Sequence, residues 1–398
     1  MQNPLSSIQL PSNWAQMDDF NVARTSRKRK ADSDPEVPLR PNVTGHRAPY
    51  PNNLPYGLVN GCNICPKKSR RIVCSSCKAV HYCTPGHQAL DHPNHQTICN
   101  RIQNLFDLKC KTQLAIDRHP EDNDAPADIF DTAGPSFWPY KGTRKYLYIC
   151  RDLVYELVKL NTEAAIRKAL NDTLTLLQLD PEDHLGMRCL APSLFLRLNQ
   201  DQRCYDFCKW WVTEGSDSDF NWIQEDLPLM FEDAFESAEV FERIRDYGAD
   251  PATFSDLSFL LAILLLKIRM LRDVKFLQHY RGLDFAHYSR SSIVLKDLWK
   301  YDREGEEYLP FVRKLEDQVR RLYRAVGRAN KHFWPAFMQP WAHLSATPLS
   351  FTLGDETEMQ IKLQECFNAW METLGATGPI RDLMEGDDMH WYSMSGNP

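Results

Sequence analysis

Apolar residues return at intervals of three and four through much of the chain beyond residue 145, a spacing that predicts helices. Ile149, Leu153, Leu157 and Leu160 make one series, and Ile166, Ala169, Leu170, Leu174 and Leu177 make the next. Further helices are expected over residues 184–198 and 201–212, the latter carrying Tyr205, Phe207, Cys208 and Trp211. Ser255 is placed to cap a helix whose residues 259–266 are apolar without a break, with Lys267 and Arg269 close behind. A membrane span needs about 20 such residues, so a buried core helix is expected here and no membrane association. Pro310 suits the first turn of a long helix in which Phe311, Val312, Leu315, Val319, Leu322, Tyr323 and Val326 form one stripe. Arg313, Lys314, Arg320, Arg321, Arg324 and Arg328 occupy its other side, which reads as a solvated face. A last helix is expected over residues 356–374, with fraying in residues 389–398.

The first 56 residues break this pattern. They are rich in Pro, Asn and Ser and show no sustained period, the composition of a disordered tail. Arg27, Lys28, Arg29 and Lys30 stand together in it, and four adjacent cations on a flexible segment suit the acidic pockets of an import receptor. A helix over residues 101–116 and an irregular, Pro- and Asp-rich linker are expected before the body begins. The resulting division is a tail at 1–56, a cysteine-rich unit at 57–100, a helix and linker at 101–142, an all-α domain at 143–388 and a frayed end at 389–398. Around Leu179-Asp180-Pro181 the chain resembles the joint between tetratricopeptide-like helical repeats, over about one unit and with no fixed period.

Composition locates the unusual chemistry. With 398 residues and 43% hydrophobic content, the chain can bury more than one core. Six of its twelve cysteines fall within residues 62–99, while the other six are scattered through helical segments as small buried hydrophobes. That distribution is not a disulfide framework, and the N-terminus lacks a basic start followed by an apolar run, so an intracellular protein is expected. The net charge of -6 divides unevenly: residues 1–60 carry +2, residues 61–100 carry +4 and the remainder carries -12. Six thiolates and two divalent ions bring the cysteine-rich stretch to about +2, a poor basis for holding nucleic acid.

Within residues 62–99 the candidate ligands are Cys62, Cys65, Cys74, Cys77, Cys83, His87, His95 and Cys99, separated by two, eight, two, five, three, seven and three residues. Two intervening residues let a tight turn bring both sulfurs to one ion, and eight ligands suffice for two tetrahedral ions. Two structural zinc ions are therefore expected. His81 and His92 are spare imidazoles that could replace a named ligand, although the spacing favours the eight. The loop residues Lys67, Lys68, Arg70 and Arg71 read as a solvated basic loop or a contact to phosphates or an acidic partner.

This ordered series, with His81-Tyr82-Cys83, Gln88 beside the sixth ligand, and His95 and Cys99 at the end, resembles the MYND-type zinc finger. The resemblance implies a cross-braced arrangement, with Cys62, Cys65, Cys83 and His87 on one ion and Cys74, Cys77, His95 and Cys99 on the other. It also implies a groove for short proline-rich peptides, lined by Gln88 and by the residue at position 92. Two positions depart from the family: His87 stands where cysteine is usual, and His92 where tryptophan is usual. Imidazole remains a good zinc ligand, whereas His92 offers less apolar area and a polar edge, so an altered partner motif or a lower affinity is expected.

The fold expected is mainly α, a small two-zinc finger followed by an all-α, helical-repeat-like body. The function expected is protein–protein interaction, as a nuclear regulator or cofactor of transcription with some cytoplasmic presence. Some fingers of this type accompany a lysine-methylating SET domain, but its glycine motif and Asn-His-x-Cys segment are absent and the body is helical. No nucleophile elbow, phosphate loop, dinucleotide fingerprint or metalloprotease helix occurs, so no enzyme is expected. The residues after His87 supply no Arg or Lys to read bases. A role as a ubiquitin-ligase adaptor is the remaining alternative; the ligand order differs from that of a RING finger.

Overall fold

In the computed structural model the described residues are 57–127, 129–132, 137–212, 256–279, 309–348 and 350–386. The expectations for residues 1–56, including Arg27 to Lys30, for Ser255 and for residues 389–398 lie outside them. Among the described residues the chain is mainly helical, with one two-stranded antiparallel sheet, β1 (Ile72–Val73) and β2 (His81–Tyr82). Ile72 lies opposite Tyr82 and Val73 opposite His81.

Helix α1 (Pro85–Arg118) follows the sheet at once. Thr84 is its N-cap and accepts a hydrogen bond from the His87 N–H at 3.2 Å, while Pro85 sits where a missing N–H costs no intrahelical bond. The helix expected over residues 101–116 thus begins inside the finger. Apolar periodicity could not reveal this, because before Ile102 the inward positions are metal ligands and a carboxylate rather than hydrocarbon.

The described residues divide between two compact units, 57–194 with 206–212 and 195–205 with 256–386. In the first, a short helix α2 (Ile129–Thr132) stands where an irregular linker was expected. Its Phe130 packs edge-on against Phe137 at 5.3 Å and Tyr146 at 5.1 Å, so three aromatic residues anchor an otherwise polar stretch. Helix α3 (Lys141–Val158) packs between α1 and α4 (Glu163–Leu179). Gly142 lets the turn at Glu121–Asn123 approach α3, since a Cβ there would meet Asn123 atoms at 2.5 Å.

The finger shares this unit. Thr162, the N-cap of α4, accepts from the Ala165 N–H at 3.2 Å and donates its hydroxyl to the Ala79 carbonyl at 2.6 Å. Beside it, the Val59 N–H donates to the Asn161 carbonyl at 3.1 Å and the Glu163 N–H to the Val59 carbonyl at 3.0 Å. Arg70 pairs with Glu163 at 3.5 Å and donates to Asn60 Oδ1. Residues 100 and 142 lie within α1 and α3.

Past α4, Asp180 accepts from the His184 N–H at 2.8 Å, and Gly186 adopts the left-handed region at φ 67°. This turn interrupts the helix expected over residues 184–198, leaving a 3-10 turn at Met187–Cys189 and a short α5 (Ala191–Arg197). Helix α6 (Asp201–Val212) stands where it was expected. With 17 residues in α4 and 7 in α5, the Leu-Asp-Pro joint does not separate matched repeat helices.

The second unit contains α7 (Leu257–His279), α8 (Leu309–Ala329), α9 (Phe333–Met338), α10 (Trp341–Leu344), α11 (Glu356–Met371) and α12 (Thr377–Gly386). The Asp256 carboxylate accepts from the Ser258 N–H at 3.2 Å at the start of α7. Every residue of the apolar run 259–266 is buried, and no helix among the described residues is long and apolar enough to cross a membrane. On α8 the predicted stripe faces inward except for half-buried Phe311, while Arg313, Lys314, Arg320, Arg324 and Arg328 are exposed. The final expected helix stops at Met371; Gly375, left-handed at φ 74°, leads into α12. Buried Arg269 ties this unit together by donating to Asp201 Oδ1 at 2.7 Å, the Leu196 carbonyl at 2.9 Å and Thr373 Oγ1 at 2.7 Å.

The Thr162→Ala substitution removes a helix cap and the hydroxyl that holds Ala79. A loss of about 1–2 kcal/mol is expected in denaturant unfolding of the zinc-loaded protein; an unchanged midpoint would show that the seam does not couple finger and helices.

Candidate metal centre

Three local devices place the ligands. Gly61, at φ 132°, turns the chain tightly enough for the Cys62 N–H to reach the Lys67 carbonyl at 3.0 Å; a Cβ on residue 61 would lie 2.6 Å from that oxygen. The hairpin of β1 and β2 carries Cys74 and Cys77 in its connecting turn and Cys83 just after β2, with the Cys74 N–H bonded to the Val80 carbonyl at 2.9 Å. Helix α1 supplies His87, His95 and Cys99 from positions four or eight residues apart, on one face.

The eight residues gather as two sets, Cys62, Cys65, Cys83 and His87, and Cys74, Cys77, His95 and Cys99, each with all ligand atoms within 4.8 Å of one another. This is the grouping implied by the resemblance. In the first set His87 Nδ1 lies 3.3 Å from Cys62 Sγ and 3.2 Å from Cys83 Sγ, and Cys65 Sγ lies 3.6 Å from Cys83 Sγ. In the second, His95 Nε2 lies 3.4 Å from both Cys77 Sγ and Cys74 Sγ, and Cys74 Sγ lies 3.5 Å from Cys99 Sγ. A tetrahedral zinc with Zn–S of about 2.3 Å and Zn–N of about 2.0 Å needs edges of about 3.8 Å between sulfurs and about 3.5 Å from sulfur to nitrogen. The observed edges match that tetrahedron to within a few tenths of an ångström, and the donor set is that of structural zinc.

Electrostatics point the same way. Burial raises the Cys62 thiol, but hydrogen bonds from the Ile64, Cys83 and Cys65 backbone and from His87 bring it down to about 6. Cys77 is pushed up, chiefly by burial and further by the neighbouring Cys74 and Cys99 sulfurs. Without metal, Cys77 holds its proton; a divalent ion between the sulfurs would displace it and balance the thiolate charge. Each site would hold three sulfurs and one imidazole, closed to a fifth ligand of catalytic use.

Asp91 braces residues next to the first set of ligands, Asn63 beside Cys62 and Tyr82 beside Cys83. It lies midway between His87 and His95 on the same helical face, 2% exposed, and accepts from the Tyr82 hydroxyl at 2.9 Å and from Asn63 Nδ2 at 2.6 Å. Burial and this hydrogen bond raise the Tyr82 phenol well above its ordinary range. Sequence reasoning missed Asp91, although its spacing of four from two ligands is legible once α1 is known to begin at Pro85.

The remaining candidates separate clearly. His81 lies on β2 opposite Val73 and belongs to neither set; burial, then the charge of Arg70, holds its imidazole below the ordinary value. Gln88 is half-buried and His92 exposed, four residues apart on α1 and one position along from the inward stripe. Lys67, Lys68 and Arg71 are exposed, whereas Arg70 serves the seam with α4.

The profile of the MYND finger family matches residues 62–99. That segment is a MYND-type zinc finger, a module of protein–protein interaction. Most of the chain lies outside the match. A 71-residue stretch is 36% identical to part of the Rho GTPase-activating protein gacZ of Dictyostelium discoideum, covering 18% of this chain and 6% of that protein. With so small a share of that relative spanned, the likeness carries no activity to this chain. No solved structure matches the chain.

Native mass spectrometry of the intact protein should find two zinc ions, both lost on acidification as thiolates and imidazoles take up protons. A count of zero or one would contradict the paired sites.

Proposed function

We propose that this chain is a nuclear interaction adaptor acting in the regulation of transcription, which docks short proline-rich peptides on the Gln88 and His92 face of its finger and performs no catalysis. The observation that carries the reading is the arrangement of α1. One of its faces is committed to ligands and Asp91, while the adjacent positions 88 and 92 are open beside that scaffold. A surface held by two metal sites is preorganised, so less ordering entropy on the finger's side opposes binding of an extended peptide. Four protein ligands per ion leave no position for an activated water, which supports a structural role for the metal. The basic run Arg27, Lys28, Arg29 and Lys30 supports engagement of an import receptor and hence nuclear residence.

Proximity labelling in cells tests this reading with three forms of the chain: wild type, a Gln88→Ala, His92→Ala double variant, and a deletion of residues 27–30. The double variant should lose a defined group of nuclear partners while retaining two zinc ions, and the deletion should shift labelling to cytoplasmic proteins. Identical partner sets for wild type and double variant would refute docking through this face, and unchanged nuclear labelling by the deletion would refute the import signal.

A further inference from the structure

The two metal sites differ in access. All four ligands of the Cys74 site are buried, at 7% for Cys74, 4% for Cys77, 7% for His95 and 6% for Cys99. In the other site Cys65 and His87 are only half-buried, and Cys83 sits at the margin with 9% exposure. Among the twelve cysteines Cys65 and Cys110 are the two that are not buried. Cys110 has no metal to hold it as a thiolate, and burial, the leading effect on its thiol, works against ionisation.

We infer that Cys65 and Cys83 form an oxidant-responsive pair, converted by a hydroperoxide to a disulfide that empties the outer metal site while the inner site keeps its ion. The two sulfurs lie 3.6 Å apart, so a movement of about 1.5 Å brings them to bonding distance. Separation alone does not single out this pair, because Cys74 and Cys99 are 3.5 Å apart. Access does, since peroxide must approach one sulfur in line and Cys65 is the ligand cysteine that solvent reaches.

The chemistry balances in two steps. The Cys65 thiolate attacks the peroxide O–O bond and becomes a sulfenic acid; the leaving hydroxide takes a proton and departs as water. The Cys83 thiolate then attacks the Cys65 sulfur, forming the S–S bond and expelling a second hydroxide that is likewise protonated. Two thiolates, one hydrogen peroxide and two protons thus give one disulfide and two waters, with sulfur oxidised by two electrons and peroxide reduced by two. The pair then offers no anionic sulfur, and Cys62 with His87 cannot retain a divalent ion alone. His87 is the third residue of α1 and precedes Gln88, so emptying this site releases the turn that Thr84 caps.

The test titrates the zinc-loaded full chain with hydrogen peroxide up to one equivalent and follows it by native mass spectrometry and non-reducing peptide mapping. One zinc should be lost per disulfide formed, the crosslink should map to Cys65 and Cys83, and thiol reductant with added zinc should restore two ions. A first disulfide between Cys74 and Cys99, simultaneous loss of both ions, or oxidation of Cys110 ahead of any zinc loss would each overturn the assignment.

Discussion

The pairing of one helical face with two metal ions is the constraint on which the finger depends. His87, Asp91, His95 and Cys99 recur every four residues on α1, so a single stripe supplies one ligand to the outer site, a buried carboxylate between the sites and two ligands to the inner site. A segment of this composition has little hydrocarbon with which to offset the entropy of ordering its loops. Zinc binding in finger peptides is worth about 10–16 kcal/mol, far above the roughly 1 kcal/mol net of a typical hydrogen bond, so the metal decides whether residues 62–99 fold.

What the smaller interactions decide is where the finger sits. Thr162 serves two masters, capping α4 and holding the Ala79 carbonyl, while Val59 exchanges backbone hydrogen bonds with Asn161 and Glu163. Since α1 leaves the finger and packs directly on α3, metal-held loops and apolar helices form one folded unit. Gln88 and His92 stand on α1 between His87 and His95, one ligand from each site.

Much of this was legible in the residues. Ligand identity, ligand number and the helical stripe of α8 follow from spacing alone, because metal coordination and helix periodicity both act over a few residues. The start of α1 was not legible from apolar periodicity, since its inward positions are Asp, His and Cys. Nor was the break before α5, which rests on a left-handed Gly186 and the side chain of Asp180, nor the anchoring of α2 by Phe130 and Phe137 in a Pro- and Asp-rich stretch. The seam at Thr162 joins residues more than eighty positions apart, a distance over which no local pattern speaks.

Hydrogen exchange on the full chain, with both ions bound and after chelation, tests most directly whether metal folds the finger and α1 together. Chelation should abolish protection through residues 62–83 and the first turns of α1 as far as Cys99, weaken it at the start of α4, and leave α7, α8 and α11 as they were. Full protection of residues 85–99 in the metal-free protein would contradict the account, since α1 would then stand without the ions that its inward face is built to hold.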